Sequence, residues 1–458
     1  MKLIKTIGLQ MLAAIACICI YSSCSGDDYI NAIPASSNAL VAIDTKALNE
    51  QTGMADNNVV KSLLKVDNVE DCGIDFSSKL YLFETADGNL GFCAKVDSKS
   101  TLADWLDSLY KKGLCSKTAE KRGFSFALLK GSWAVGFSDE SAVIIGPVLP
   151  AQQAEAIRTL GKYLKQDEDD GIKSTPMFDK VDSIKSPVAI VAQVDALPEK
   201  LAAPFTIGAP KGADNSQICI AASLTASHNG CMNICGEPFS FNPEVDKALK
   251  ASNAKFRKIK GTYAANLPGN TLCSIFMNVN GRDFVDMMHN SASLGVLLAG
   301  MNTAIDMDNI LRCVDGEMVF GIDAFSDKNI SMSMAAQLAK TDFLKDVDYW
   351  KKSCQPGSSI TDCGKNSFVF KSDDAQFWFG ASATREFYGS SKQEIANSIL
   401  KPAKRQLPSE VRKDIVGKRF CMVANVGQMI EENKDLSLIT DLLKPLFGNV
   451  NYIVYSIK

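Results

Sequence analysis

The sequence predicts an α+β protein made of two related halves, each with antiparallel or mixed sheets covered on one face by amphipathic helices. Three observations predict it. Apolar strand-like runs come in pairs about turn residues, and helices with a single apolar stripe separate those pairs. The order of segments in the first half then recurs in the second.

The chain opens with Lys2 and Lys5 and continues in a run without charge from Ile7 to Tyr21. That run is shorter than the roughly 20 residues that cross a bilayer, and the small residues Ser22 and Ser23 follow it. The pattern is an export signal over residues 1–23. Cys24 comes next, and "YSSC" resembles the signal of bacterial lipoproteins, in which this cysteine is acylated and becomes the new N-terminus. The resemblance implies membrane attachment through palmitate-type chains on Cys24. Each buried methylene contributes about 0.8 kcal/mol, so two or more chains hold a protein firmly where one does not. Residues 24–33 form the acylated cysteine and its tether, which begins Ser25, Gly26, Asp27, Asp28. Such an acidic start resembles the export signal of Bacteroidetes lipoproteins. It implies the outer face of the outer membrane, with the periplasmic face as the alternative.

The first half spans residues 34–262. "PASSNALVAID" places turn residues before a strand that ends at Asp44, and "KLYLFETADGNLGFCAKVD" is a pair of strands about Asp87-Gly88. Leu102, Trp105, Leu106, Leu109 and Tyr110 make one helical stripe. "FSFALLKGSWAVGFSDESAVIIG" reads as a second hairpin, and "AQQAEAIRTLGKYLKQ" as a second helix. A shorter unit restarts at "SPVAIVAQVDAL" and runs through the hairpin "QICIAASLTASHNGCMNICGEPF" to a helix from Pro243 to Ile259.

The second half spans residues 263–458. "PGNTLCSIFMN" follows the Pro34 segment at an offset of 234, and "KTDFLKDVDYWKK" follows the Ser100 helix at 240. "KRFCMVANVGQM" follows the Ser186 strand at 232. Three matches in one order at nearly one offset predict a duplication, with the last unit truncated at "NYIVYSIK". Asp44, Gln193, Asn278 and Asn425 stand at matching strand ends and read as residues that close a turn or cap a helix.

With "CSGDDYINAIPASSNALVAID" after the signal and "SPVAIVAQVD" in the middle, nearly all of the mature chain resembles the Bacteroidetes lipoproteins called domain of unknown function 4836. The resemblance implies location and fold, and it supplies no activity or catalytic residues.

Composition and motifs bound the function. Apolar content of 46% and charged content of 22% are ordinary for globular chains. The net charge is −3 and Lys and Arg are dispersed, so no basic stripe points to nucleic acid. Cys93, Cys219, Cys273 and Cys421 lie in strand-like runs and read as buried thiols. Cys354 and Cys363 bracket "CQPGSSITDC" and form the candidate disulfide.

His228, Cys231 and Cys235 suggest zinc, but Cys231 and Cys235 would lie roughly 13 Å apart along a strand, too far for one ion. His289 reads as a helix-surface residue. "GSSITDCGKN" misses the spacing of a phosphate loop, and Ser62-Leu63-Leu64-Lys65 lacks the partner motifs of a serine–lysine enzyme. "QDEDDG" reads as a solvated linker. No metal, cofactor or catalytic residue is expected.

The expected function is non-catalytic recognition or assembly at the cell envelope, with an envelope protein, peptide or glycan as partner. The aromatic run "FWFGASATREFY" supplies the candidate partner surface, Phe377, Phe379, Phe387 and Tyr388, with core filling as its alternative. Two further alternatives are a hydrolase whose carboxylates come from distant strands and a sensor or inhibitor domain that binds a protein through a sheet edge.

Overall fold

The structure, a computed structural model, describes residues 26–52, 66–196, 209–210, 213–226, 230–290, 305–325, 330–373, 375–432 and 449–458. The readings made for Cys24, for Ser62 to Lys65 and for His228 fall outside the described residues. The chain divides into two compact units. One gathers the described residues of Met1–Leu197, Cys219–Met232 and Lys434–Val450, and the other those of Pro198–Ile218, Asn233–Asn433 and Asn451–Lys458.

In the first unit, β1 (Ala39–Ile43) is followed by α1 (Thr45–Thr52), then β2 (Leu80–Glu84), β3 (Leu90–Lys95) and α2 (Lys99–Lys111). A meander of β4 (Ala119–Lys121), β5 (Phe124–Leu129), β6 (Trp133–Phe137) and β7 (Ser141–Gly146) comes next. After α3 (Gln153–Tyr163) and α4 (Pro176–Ser183) come β8 (Val188–Gln193) and β9 (Cys219–Ala226). The strands pair antiparallel in the order β4-β5-β6-β7-β3-β2-β1-β8-β9.

Local chemistry explains most of these elements. The Ser98 side chain accepts the Thr101 N–H at 3.2 Å and caps α2. Leu102, Trp105, Leu106 and Leu109 are buried as the stripe predicts, while Tyr110 is 47% exposed. Eight residues past Leu102, at 3.6 per turn, Tyr110 falls off the buried face. The β2–β3 connection is longer than the predicted two-residue turn. Thr85 N–H reaches Asn89 O at 2.9 Å, and Gly88 alone takes a left-handed φ of 73°.

The run predicted as one hairpin forms three strands, β5 to β7. Strands β6 and β7 are buried at every position, so both faces of this part of the sheet are covered, where one covered face was predicted. The unbroken apolar run "AVIIG" suits burial on both sides. On one face, the 3-10 turn Asp27–Ala32 brings the Tyr29 carbonyl to the Cys93 thiol, which donates to it at 3.3 Å. The Tyr29 hydroxyl donates to Lys79 O at 2.7 Å.

In the second unit, most of β10 (Cys231–Phe239) leads to α5 (Pro243–Asn253), β11 (Cys273–Asn280), α6 (Gly281–Asn290) and α7 (Met307–Leu311). β12 (Val314–Phe325), β13 (Ile330–Leu338) and α8 (Val347–Ser353) follow, then the meander β14 (Ser359–Gly364), β15 (Ser367–Lys371), β16 (Gln376–Ala381) and β17 (Glu386–Ser390). The unit continues with α9 (Gln393–Ser398), α10 (Ser409–Ile415), β18 (Phe420–Asn425), α11 (Val426–Glu432) and β19 (Tyr452–Ile457). Its antiparallel order is β14-β15-β16-β17-β13-β12-β11-β18-β19, the order of the first unit with every strand number raised by ten. Strand β10 adds beyond β19.

Two expectations shift here. Residues 233–262, grouped with the first half by sequence, pack into the second unit: Phe256 joins a core with Met277, Val285 and Phe420, and Arg257 N–H donates to Asn278 O at 2.7 Å. The segment "KTDFLKDVDYWKK", expected as one helix like its counterpart, is a 3-10 turn, Asp342–Lys345, followed by α8. Of the repeated strand-end residues, Asp44 and Asn425 act as caps, accepting the N–H of Ala47 at 2.9 Å and of Gln428 at 3.2 Å. Asn278 instead lies inside β11 and donates to Lys258 O at 2.9 Å, and Asn280 takes the cap position of α6.

A buried carboxylate ties the second unit together. Glu317 of β12 is 3% exposed and accepts the N–H groups of Lys260 at 2.6 Å, Gly261 at 3.0 Å and Thr262 at 2.8 Å. Hydrogen bonds to a charged acceptor are the strong kind, and losing this one orphans three backbone donors. Glu317→Ala should lower the unfolding free energy of this unit by about 3 kcal/mol, read as a shifted urea midpoint. An unchanged midpoint would mean that other contacts hold the loop.

Candidate functional site: a cationic pocket

Helix α3 turns Ala156 and Leu160 into the first unit's core. It can lie close to the sheet because β6 carries Gly136, where an added Cβ would stand 3.2 Å from Leu160 Cβ and from Phe126 Cδ1. The helix has its own glycine, Gly161, above the same ring: an added Cβ there would reach only Phe126 Cζ, at 3.6 Å. Along its outer flank stand Arg158, Lys162 and, just past the helix end, Lys165. Their i, i+4, i+7 spacing puts them on one side.

The β4–β5 turn supplies the other wall. Lys121 pairs with Phe124 across a two-residue turn, Arg122-Gly123, with left-handed φ of 55° and 85°. The Lys99 ammonium donates to Gly123 O at 3.3 Å and ties the turn to the start of α2. Between the walls lies a cavity of about 350 Å³. Buried Phe126 and half-buried Phe124 and Ile157 give it an apolar floor, and its polar lining is Lys121, Arg122, Arg158, Lys162 and Lys165.

No carboxylate lines this cavity. Arg158 is paired on the surface with Glu155, and the other four cations have no ion-pair partner among the described residues. Unanswered like charges around one concavity focus a positive potential into it. The lining sets five cationic side chains around apolar carbon, an arrangement chemically suited to an anionic group.

The residues singled out by sequence lie elsewhere. Phe379 and Phe387 are fully buried, which removes them from any partner surface. Strands β16 and β17 pair so that both rings point into the second unit's core, Phe387 at 5.9 Å from Phe343 and Phe379 at 6.4 Å from Trp350. Phe377 is half-buried and stacks on Phe379 at 6.4 Å. Tyr388 is half-buried with its ring over Gly380, where an added Cβ would meet Oη at 2.5 Å.

Cys354 and Cys363 are separate thiols: Cys354 donates to Trp350 O at 3.4 Å, and Cys363 is exposed on β14. Cys93, Cys219 and Cys421 are buried and Cys273 is half-buried. Burial pushes the thiols of Cys72, Cys219 and Cys273 up to about 11. His289 is a surface residue, with Nε2 at 2.6 Å from Asp308 Oδ2.

In "QDEDDG", the Asp167 carboxylate closes its own turn by accepting Asp169 N–H at 3.1 Å. Among the described residues, no group of three or more His, Cys, Asp or Glu could hold a metal, and no helix is long and apolar enough to cross a membrane. Burial raises the carboxyls of Glu84, which Asp195 raises further, and of Asp323; the two lie in different units and outside the pocket.

Sequence reasoning passed over the pocket. The spacing of Arg158, Lys162 and Lys165 in a predicted helix was the available signal, but nothing local joins it to Lys121 and Arg122.

Fold and cavity together describe an α+β protein of antiparallel sheets with a cation-lined pocket. The chain belongs to the family described as Domain of unknown function (DUF4836), which matches residues 60–431. No curated protein matches the chain. Among solved structures it is similar to TP0453 in crystal form IV, with a TM-score of 0.28 and 11% identity over 45% of this chain and 77% of that one. Crystal form III of TP0453 gives a TM-score of 0.25 and 8% identity over 82% and 98%.

Core and surface roles for the aromatic run separate by stability. Phe379→Ala should lower the unfolding free energy by about 3–5 kcal/mol, measured by denaturant titration. A midpoint equal to wild type would return Phe379 to the surface.

Proposed function

We propose that this protein is a non-catalytic recognition component of a bacterial cell envelope, a lipoprotein of Bacteroidetes type. In this reading residues 1–23 are the export signal, acyl chains on Cys24 hold the chain at the outer membrane, and one α+β unit has been duplicated. The observation that carries the binding role is the pocket of α3 and the β4–β5 turn, whose lining joins cations to apolar carbon with no nucleophile–base pair. Its partner is an envelope protein, peptide or glycan with an anionic group.

Duplication is supported by the shared strand order and by spacing along the chain. Ala39 and Cys273 open equivalent strands 234 residues apart, Val188 and Phe420 do so 232 apart, and α4 and α10 begin 233 apart. Anchoring is supported by the basic start, the short apolar run and the placement of Cys24 after two small residues. The hydrolase alternative would need acids converging in one pocket, and no carboxylate lines the pocket of α3 and the β4–β5 turn.

Metabolic labelling with an alkyne-bearing fatty acid tests the anchor. Wild type should take up label and sediment with the outer membrane, and Cys24→Ser should lose the label. An unlabelled wild type in the cytosolic fraction would end this proposal.

A further inference from the structure

We propose that the pocket formed by α3 and the β4–β5 turn binds a compact ligand carrying at least two phosphate or sulfate ester groups, an inference that rests on reading the chain as a binding protein. The charge is local. Five cations surround one cavity in a chain whose net charge is −3, so the cluster does not follow from a basic composition. Four of them lack an ion-pair partner among the described residues, and an anion in the cavity answers all four at once.

The cations stand on two walls. At 1.5 Å rise per residue, Arg158 and Lys165 are roughly 10 Å apart along the helix direction, with Lys121 and Arg122 on the turn opposite. A single carboxylate would meet one part of this array and leave the rest in mutual repulsion. Two tetrahedral oxyanions a few ångströms apart meet both walls, and the arginine forks match such groups bidentately.

Size narrows the class further. A cavity of about 350 Å³ lies at the small end of ligand pockets, which run from about 300 to 1,000 Å³. It admits a body the size of a sugar or a lipid headgroup rather than a folded partner. Phe126, Phe124 and Ile157 offer apolar contact to the ring or glycerol carbons of that body. Both walls are fixed beforehand, the turn by Lys99 on Gly123 O and the helix start by Gln153 Nε2 donating to Gly131 O at 2.7 Å. Preorganisation of this kind lowers the entropy lost on binding.

The second unit supplies an internal control. At the place of α3 it has α9, six residues against eleven, with the sequence "QEIANS" and no Lys or Arg. A cationic wall required by the fold would appear in both units. It appears in one.

Calorimetry on the mature full-length protein in detergent tests the inference with three ligands: inorganic pyrophosphate, a disulfated disaccharide and dihexanoyl phosphatidylinositol bisphosphate. Pyrophosphate should bind and weaken as salt is raised. Tighter binding of the disaccharide would assign the ligand to glycans, and tighter binding of the lipid to headgroups; either supports the site.

Arg122→Asn combined with Lys162→Glu should weaken binding at least tenfold, since Asn tolerates the left-handed turn. Gly161→Leu should block the site by filling the space over Phe126. Thermal melts matching wild type confirm that both variants fold. No binding of any of the three ligands by wild type, or wild-type affinity in both folded variants, would overturn the inference. Release of free phosphate or sulfate from these ligands by wild type would instead overturn the non-catalytic reading.

Discussion

Each unit depends on a long-range strand pairing that seats its meander. β3 meets β7 in the first unit, from Leu90 opposite Gly146 to Lys95 opposite Ser141, and β13 meets β17 in the second, from Ser333 opposite Ser390 to Gln337 opposite Glu386. These pairings return a four-strand meander to the first hairpin. Closing such a loop costs conformational entropy that grows only slowly with its length. The burial of Cys93, Ala94, Val143 and Ile144 along the first seam, and of Ala335, Ala336 and Phe387 along the second, offsets it. Without the seam the central strands of each meander would have no sheet to extend.

The candidate site is a consequence of that closure. Once β7 is seated, the chain turns back as α3 and crosses β6, where Gly136 permits close approach. The same approach places Gly161 over Phe126 and lays the helix flank beside the β4–β5 turn. One missing side chain on the strand lets the helix in, and one on the helix keeps the floor open. In the second unit the helix that follows the meander, α9, is shorter and carries no cation, and the rings of Phe368, Phe377 and Phe379 pack with one another and with Trp350 of α8.

Legibility followed the range of the interactions involved. The α2 stripe from Leu102 to Leu109 and the caps at Asp44 and Asn425 are set within one or two turns of chain, and they were readable. Asn278 was misread because β11 runs two residues further than its counterpart's pattern implied, which moves the cap to Asn280. Phe379 and Phe387 belong to a run in which alternate residues face opposite ways, and nothing in the run says which face is the inner one. The cations of the pocket were visible singly and never as a group.

The sequence by itself determined the local inventory: most of the strand and helix segments, and where most turns fall. Those are set by side-chain periodicity and turn chemistry, which act between near neighbours. Only the tertiary structure decided which strand lies beside which, which aromatic rings are sealed in the core, and that Lys121 and Arg122 stand across a cavity from Arg158 and Lys162. These outcomes depend on the energy of contacts between residues far apart along the chain, and no local window of sequence contains both partners.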